Sequence, residues 1–521
     1  MSTKVKEALF ELIKSLSKSE KRYFKLLSSR HTIGDENNYV KLFDFIDKQT
    51  AYDEDAIFQE FKDEAFLHRF SITKKRLYDH VLSALDAFHA TNSVDAQLFK
   101  MLHSADILFN KSLYDQCARV LRSAEKLAEK NKRFTLLAEI SRKNKRLVEN
   151  NAYSSFSHED FETIAKNDEL IWQEVNCYNL LWKVKSDLFV HLSRKGKARN
   201  QEESDAFEAI IQEIPQNLVV SEEVLDNYYL YHHIYSAYYF SIGNLHSSFS
   251  HIKLNLANFE KTEQAIQQNL NTYFSLLTNG IYVAEKLGLI NESKRLLADL
   301  KAIPSKFSSV MNEDMEIKLF ASTYSIELSL LTNNGDFKKA EQLFPIIENG
   351  LLKFGDKISS VRKAFIVFKM ATVQLGLGNF SLALKHVNRI LNDSDLDVSE
   401  DILSFTHLLD LLIHLDMKHE QLLPYALKNT QRFLKSRNRL YSFEKAFLQF
   451  VSKRIKCTNE LDAEILWEEL HAELSSIKDD TFEGVALEYF DFRTWSESKF
   501  KKQVFVELVK RKELNRLKHA N

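Results

Sequence analysis

Apolar residues in this chain recur at the three- and four-residue steps of one helix face, not at the alternation of a half-buried strand. The clearest stretch runs from Ile317 to Leu391, where "IKLFASTYSIELSLL" and "AFIVFKMATVQL" each predict a helix, a short break and a second helix. The breaks read Gly335-Asp336-Phe337 and Gly378-Asn379-Phe380. Glycine tolerates the left-handed conformation that ends a helix. Three residues past each aromatic stands an alanine, Ala340 or Ala383, followed by Phe344 and Ile347 or by Val387 and Ile390. The aromatic is expected to plug the cleft between paired helices and the alanine to let them approach. Looser copies start at Gly288 (Ile290, Ser293, Leu297, Leu300) and Gly243 (Leu245, Ser248, Ile252), with a glycine-free copy at Tyr114 (Cys117, Leu121, Ala124). The turn glycines 243, 288, 335 and 378 follow one another at 45, 47 and 43 residues, so the unit is a long helix pair.

A glycine, an aromatic two residues on and a small residue five on resemble the tetratricopeptide repeat, over roughly residues 96–440. The usual unit of that family is about 34 residues, and its first-helix tryptophan, leucine and glycine are here Val367, Met370 and Ala371. The resemblance implies an all-α fold of helix pairs stacked as a right-handed superhelix. Residues 1–92 and 441–521 are then helical N- and C-terminal caps on the repeats of 93–440. It also implies a concave groove lined by the first helix of each pair. Counted back from the turn glycines, that stripe carries His233, Ala237 and Phe240, then Thr278 and Tyr282. It continues through Ser322, Ser325, Ser329 and Asn333 to Phe365, Phe368 and Thr372. Small hydroxyls between aromatics suit an extended peptide; the competing reading is a solvated face flanked by inter-repeat core.

The flanking regions also read as helical. Ser17-Lys18-Ser19-Glu20 has the form of a capping box, opening a helix with Tyr23, Phe24, Leu26 and Leu27. Gly34-Asp35 marks a loop, Leu42, Phe43 and Ile46 share a face, and a helix from Thr73 presents Leu77, Val81, Leu85 and Phe88. Its opening Lys74, Lys75 and Arg76 raise a helix-turn-helix reader of DNA, although Phe66, Leu67 and Phe70 look buried rather than looped. Helices are expected at 159–175 and 177–194, and "SRKGKARNQEES" at 193–204 is the most hydrophilic link and a candidate hinge. The aspartate-rich segment 392–400 lacks the glycine and closing glutamate of a calcium loop and suits a helix cap.

Composition narrows the class. Eleven glycines and four prolines in 521 residues, against ordinary shares of about 7% and 5%, leave long helices with short links. A net charge of −2 argues against a whole-molecule polyanion binder. Local charge is uneven: residues 111–150 hold 11 Lys/Arg against 5 Asp/Glu, 425–456 hold 9 against 1, and 460–497 hold 2 against 12. Cys117, Cys177 and Cys457 are too scattered for a disulfide framework or zinc site, which fits a reduced, cytoplasmic setting. No apolar run reaches the length of a membrane span, about 18 residues or more, so no membrane partner is expected.

Enzyme signatures are absent: no phosphate loop, nucleophile elbow or HExxH motif occurs, and neither a catalytic residue nor a cofactor is expected. His407, Asp410 and His414 share a helix face and are the best metal candidates, but aromatic or surface histidines explain them as well, and no metal is expected. Two function classes remain. The first is a scaffold that binds a protein or peptide partner in its groove. The second is a nucleic-acid-associated regulator using the basic blocks or the N-terminal helices; a repeat protein with such a module resembles bacterial peptide-sensing regulators.

Overall fold

A computed structural model of the chain describes residues 8–29, 38–90, 93–153, 156–392, 400–457, 459–477, 487 and 489–520. Every regular element among the described residues is helical, so the chain is all-α. It divides into two compact units, Met1–Val175 and Asn176–Asn521.

In the first unit α1 (Ala8–Ser15), α2 (Lys18–Ser29), α3 (Asn38–Lys48), α4 (Glu54–Glu60) and α5 (Phe70–His89) enclose one core. Leu42, Phe43, Ile46, Leu77 and Val81 are fully buried, and Phe24 stacks on Phe43 at 4.5 Å. The capping box forms at the head of α2: the Ser17 amide donates to Glu20 at 2.7 Å, and the Glu20 amide to Ser17 Oγ at 3.3 Å. A second core, built on Leu98, Leu121, Ala124 and Ile140, is shared by α6 (Val94–Asn110), α7 (Tyr114–Lys130) and α8 (Phe134–Asn150). Their turns hold Ser112 and Lys132 at φ of 61° and 53°. The glycine-free copy at Tyr114 is thus a helix pair whose turn residue is a serine in a conformation that glycine fills more readily.

Helix α9 (His158–Lys195) is continuous over 38 residues where two helices were expected. Neither glycine nor proline interrupts it, and the change from an acidic to an apolar face near residue 176 alters its packing without breaking its backbone. Gly196, at φ 77°, ends it.

The second unit starts within α9 and continues with α10 (Gln201–Ile211). Helix pairs follow: α11 (Leu225–Ser241) with α12 (Leu245–Phe259) and, after the short α13 (Glu263–Gln268), α14 (Leu270–Lys286) with α15 (Ile290–Lys306). Next come α16 (Glu313–Asn333) with α17 (Phe337–Glu341) and α18 (Phe344–Phe354), the last two separated at 342–343, with Pro345 in the first turn of α18. Then α19 (Ser360–Gly376) packs on α20 (Phe380–Leu391), and α21 (Glu400–Asp416) on α22 (Leu423–Ser436). The chain ends in α23 (Ser442–Lys456), α24 (Glu460–Ile477), α25 (Phe492–Phe500) and α26 (Phe505–Ala520).

The turn chemistry explains the pairing. Gly243, Gly288, Gly335 and Gly378 lie at φ between 74° and 81°. The Asp336 amide donates to the Leu331 carbonyl at 2.8 Å and Asn379 to Gln374 at 2.9 Å, the six-to-one bond of a Schellman turn. The α21–α22 turn makes the same bond, His419 to His414 at 3.1 Å, around Lys418 at φ 54°. Ala340 and Ala383 are fully buried. Phe337 reaches beyond its own pair, since a Cβ at Gly376 of α19 would come within 2.3 Å of its ring.

Two regions depart from their hydrophilic or terminal look. In the link at 193–204, Lys197, Ala198 and Arg199 are buried, so this segment is an internal crossing, not a solvated hinge. Residues after 488 do more than close the end of the stack. Tyr489 stacks on Phe405 at 4.1 Å and meets Phe368 edge-on, Phe505 meets Phe337 edge-on at 5.8 Å, and α26 packs on α16.

Candidate binding cavity

The first helices of successive pairs in the second unit bring their stripe to one shared cavity of about 440 Å³. Helix α9 contributes Phe189 and Leu192, α11 contributes His233, Ala237 and Phe240, and α14 contributes Thr278 and Tyr282. Ser322 and Ser325 come from α16, Arg362 and Phe365 from α19, and Ile402 of α21 completes the ring. These helices are far apart in sequence; the repeated turn aims each of them at the same space.

The remaining predicted residues lie elsewhere. Ser329 does not line the cavity, and Asn333 is exposed and donates to Glu285 of α14. Phe368 and Thr372 are core residues, 0% and 5% exposed. The lining shifts from pair to pair: it includes positions 10, 6 and 3 residues before the turn glycine in α11, 13 and 10 before it in α16, and 16 and 13 before it in α19. The cavity therefore crosses the stripe obliquely, and a fixed count from the glycine leaves it in the last pair.

The wall is mostly apolar, with aliphatic side chains outnumbering its rings. His233 lies between Phe189 and Tyr229, both ring centroids at 5.1 Å and the planes 26° and 14° from its own. Loss of hydration, with repulsion from Lys185 added, pushes its pKa down to about 3. At neutral pH it is an uncharged imidazole with one donor and one acceptor. The Lys197 ammonium sits 4.1 Å from the Phe240 ring centroid and 5.8 Å from that of Tyr282, a cation–π contact that fixes both rings.

The Thr278 and Ser325 hydroxyls have committed their protons. Thr278 donates to the Ser275 carbonyl at 3.0 Å and Ser325 to Ala321 at 2.7 Å. Such back-bonding within the helix leaves lone pairs, so these positions can accept from a ligand's N–H groups. Arg362 is the one charged residue in the lining, and no carboxylate lines it.

A buried ionic cluster ties the link after α9 to α21 and α23. The Arg199 guanidinium faces Glu444 with two N···O distances of 3.3 Å, the side chains 3% and 2% exposed, and it stacks on Tyr441 at 4.3 Å. Arg439 donates to the Lys195 carbonyl at 3.1 Å and to Asp401, and Tyr441 donates to Glu203 at 3.1 Å. Gly196 is required here: a Cβ would stand 2.3 Å from Asp401 Oδ2. Phe189, Leu192, Lys197 and Arg362 were not anticipated. Gly196, which ends α9 as the other turn glycines end their helices, was the available signal, although Phe189 and Leu192 fall 7 and 4 residues before it instead of 6 and 3.

No protein-family model matches the chain, and no curated protein is similar to it in sequence.

The other candidate sites have local roles. His407 packs on Phe433 at 4.2 Å, while His414 pairs with Asp410 at 3.5 Å and with His419 at 2.9 Å. Among the described residues no three metal-binding side chains gather. Lys74 is held by Glu54 at 2.7 Å and lies over Phe70. In the first basic block Arg133 pairs with Asp95 at 2.8 Å, Lys143 with Asp106 at 2.5 Å, and Lys145 with Asp168. Gly34-Asp35 and most of the aspartate-rich segment, 393–399, lie outside the described residues. No described helix is long and apolar enough to cross a membrane.

Proposed function

We propose that this chain is a tetratricopeptide-like scaffold, its pairs stacked with right-handed superhelical sense, that binds a segment of a protein or peptide partner in the cavity of its second unit. The observation that carries this reading is the convergence of one first-helix stripe, from Phe189 through His233, Tyr282 and Ser322 to Phe365, on a single space. A cavity of about 440 Å³ lies within the range of roughly 300–1,000 Å³ in which apolar walls and a few polar groups hold a ligand. It accommodates one or two large apolar side chains of a partner segment, with neutral His233 and the hydroxyl lone pairs fixing the backbone beside them. A reducing, cytoplasmic compartment belongs to this reading, in which Cys117, Cys177 and Cys457 are free thiols.

The test is selection from a displayed random-peptide library on the purified chain, followed by affinity measurements on variants. Selected peptides should share an aromatic or branched apolar anchor. Thr278→Trp, which fills the cavity, should weaken them at least tenfold, while Ser329→Ala with Asn333→Ala, outside the lining, should leave them unchanged. Peptides indifferent to Thr278→Trp would refute the assignment.

A further inference from the structure

Between α22 and α23 lies an open groove of about 640 Å³ whose chemistry is the reverse of the cavity's. Lys428, Arg432 and Lys435 of α22 and Lys445 of α23 line it, and no carboxylate does. All four side chains are exposed, and none forms an ion pair with a described residue. Their neighbours in the same basic block are engaged: Arg439 by Asp401, Arg437 by the Phe433 ring at 4.1 Å, and Lys453 by Glu469 at 3.6 Å. Four like charges around one concavity repel one another unless an anion lies among them.

We propose that this groove binds the sugar-phosphate backbone of a single-stranded nucleic acid. A helical rise of about 1.5 Å per residue puts Lys428 and Lys435 about 10 Å apart along α22, room for roughly two or three phosphates of one strand. Lys445 meets the same strand from the other helix, and the Asn429, Gln449 and Ser452 side chains in the lining supply neutral hydrogen bonds to phosphate and sugar oxygens. One strand fits within a groove of this size, whereas a bilayer surface touches only its rim. The apolar lining is Leu440 and Leu448, with no aromatic ring. Bases therefore have no stacking platform, and binding is independent of sequence.

Fluorescence anisotropy with a labelled oligothymidylate strand tests this on the full chain. Two or three phosphate contacts on a single strand predict an affinity roughly seven- to eighteen-fold weaker at about 200 mM salt than at about 50 mM. Lys428→Glu with Lys445→Glu should reduce binding more than tenfold with the circular dichroism spectrum unchanged. Lys338→Glu, an exposed cation outside the groove, should have no such effect, and Thr278→Trp should leave oligonucleotide binding intact, separating this groove from the cavity. Absence of binding at low salt, equal loss in Lys338→Glu, or binding to phosphatidylserine vesicles without binding to the oligonucleotide would each overturn the proposal.

Discussion

Gly335 and Gly378 share a φ of 76° and 78° but not their surroundings. A Cβ at Gly378 meets nothing within 4 Å, whereas at Gly335 it comes to 2.9 Å from the Lys510 backbone. Gly378→Ala should show only the left-handed backbone penalty, about 1–2 kcal/mol, and Gly335→Ala should lose more because α26 must shift. Urea melts of the two variants decide it, and equal losses would mean α26 does not rest on that turn. Buried histidines make a second prediction. Desolvation, with His251 adding repulsion, pushes His232 down to about 4, and desolvation also pushes His407 to about 4 and lowers His251 and His386. Their unfolded value is about 6.5, so as pH falls below it the unfolded chain binds more protons than the folded one. Stability is fully present above about pH 6.5 and is lost progressively toward about pH 4. Denaturant midpoints should fall across that window and His232→Gln should flatten part of the slope; a flat profile in the parent chain would contradict this.

Within an element pair, the alanines set how closely the helices meet. Leucine at Ala340 or Ala383, both fully buried, should cost about 1–3 kcal/mol by overpacking, read as a lower melting temperature. The ionic cluster works between elements far apart in the chain. Arg199→Met removes a buried partner of the Glu444 carboxylate, which is 2% exposed, and breaking a buried pair from one side typically costs about 3–5 kcal/mol. Replacing Glu444 by Leu in the same molecule should recover part of that loss, because the buried carboxylate leaves together with its Arg199 partner. If the single and double variants melt alike, the pair does not tie these elements together. Legibility at this scale followed turn chemistry. Pairs with a glycine turn were readable, and the Tyr114 copy was found from its apolar spacing alone. The α21–α22 turn, with Lys418 in glycine's place, showed no clean signal.

For the second unit as a whole, the C-terminal segment is part of the core. Phe492 and Trp495 are buried, and Tyr489 covers Phe368 and Phe405. A chain ending before residue 487 should bare those rings, bind the dye ANS and unfold at a lower temperature. A truncated chain with unchanged melting and no dye binding would show that the segment is only a lid on a finished stack.

Helical periodicity and turn residues are encoded in neighbouring positions. The all-α class and the glycine-turn pairs were therefore readable from the sequence, and the resemblance to the repeat set His233, Phe240, Thr278, Tyr282, Ser322 and Ser325 on one stripe, from which they line the cavity. Tertiary structure decided what depends on distant partners. It buried Lys197 and Arg199 in a link that looks solvated, since Glu444 lies 245 residues away. It carried the lining past Phe365 to Arg362 and covered Phe368 with a ring from Tyr489. It also sorted the cations, supplying carboxylates to Arg133 and Lys143 and, among the described residues, none to Lys428 or Lys445. A charge's worth depends on its neighbours in space, and a one-dimensional pattern does not carry those.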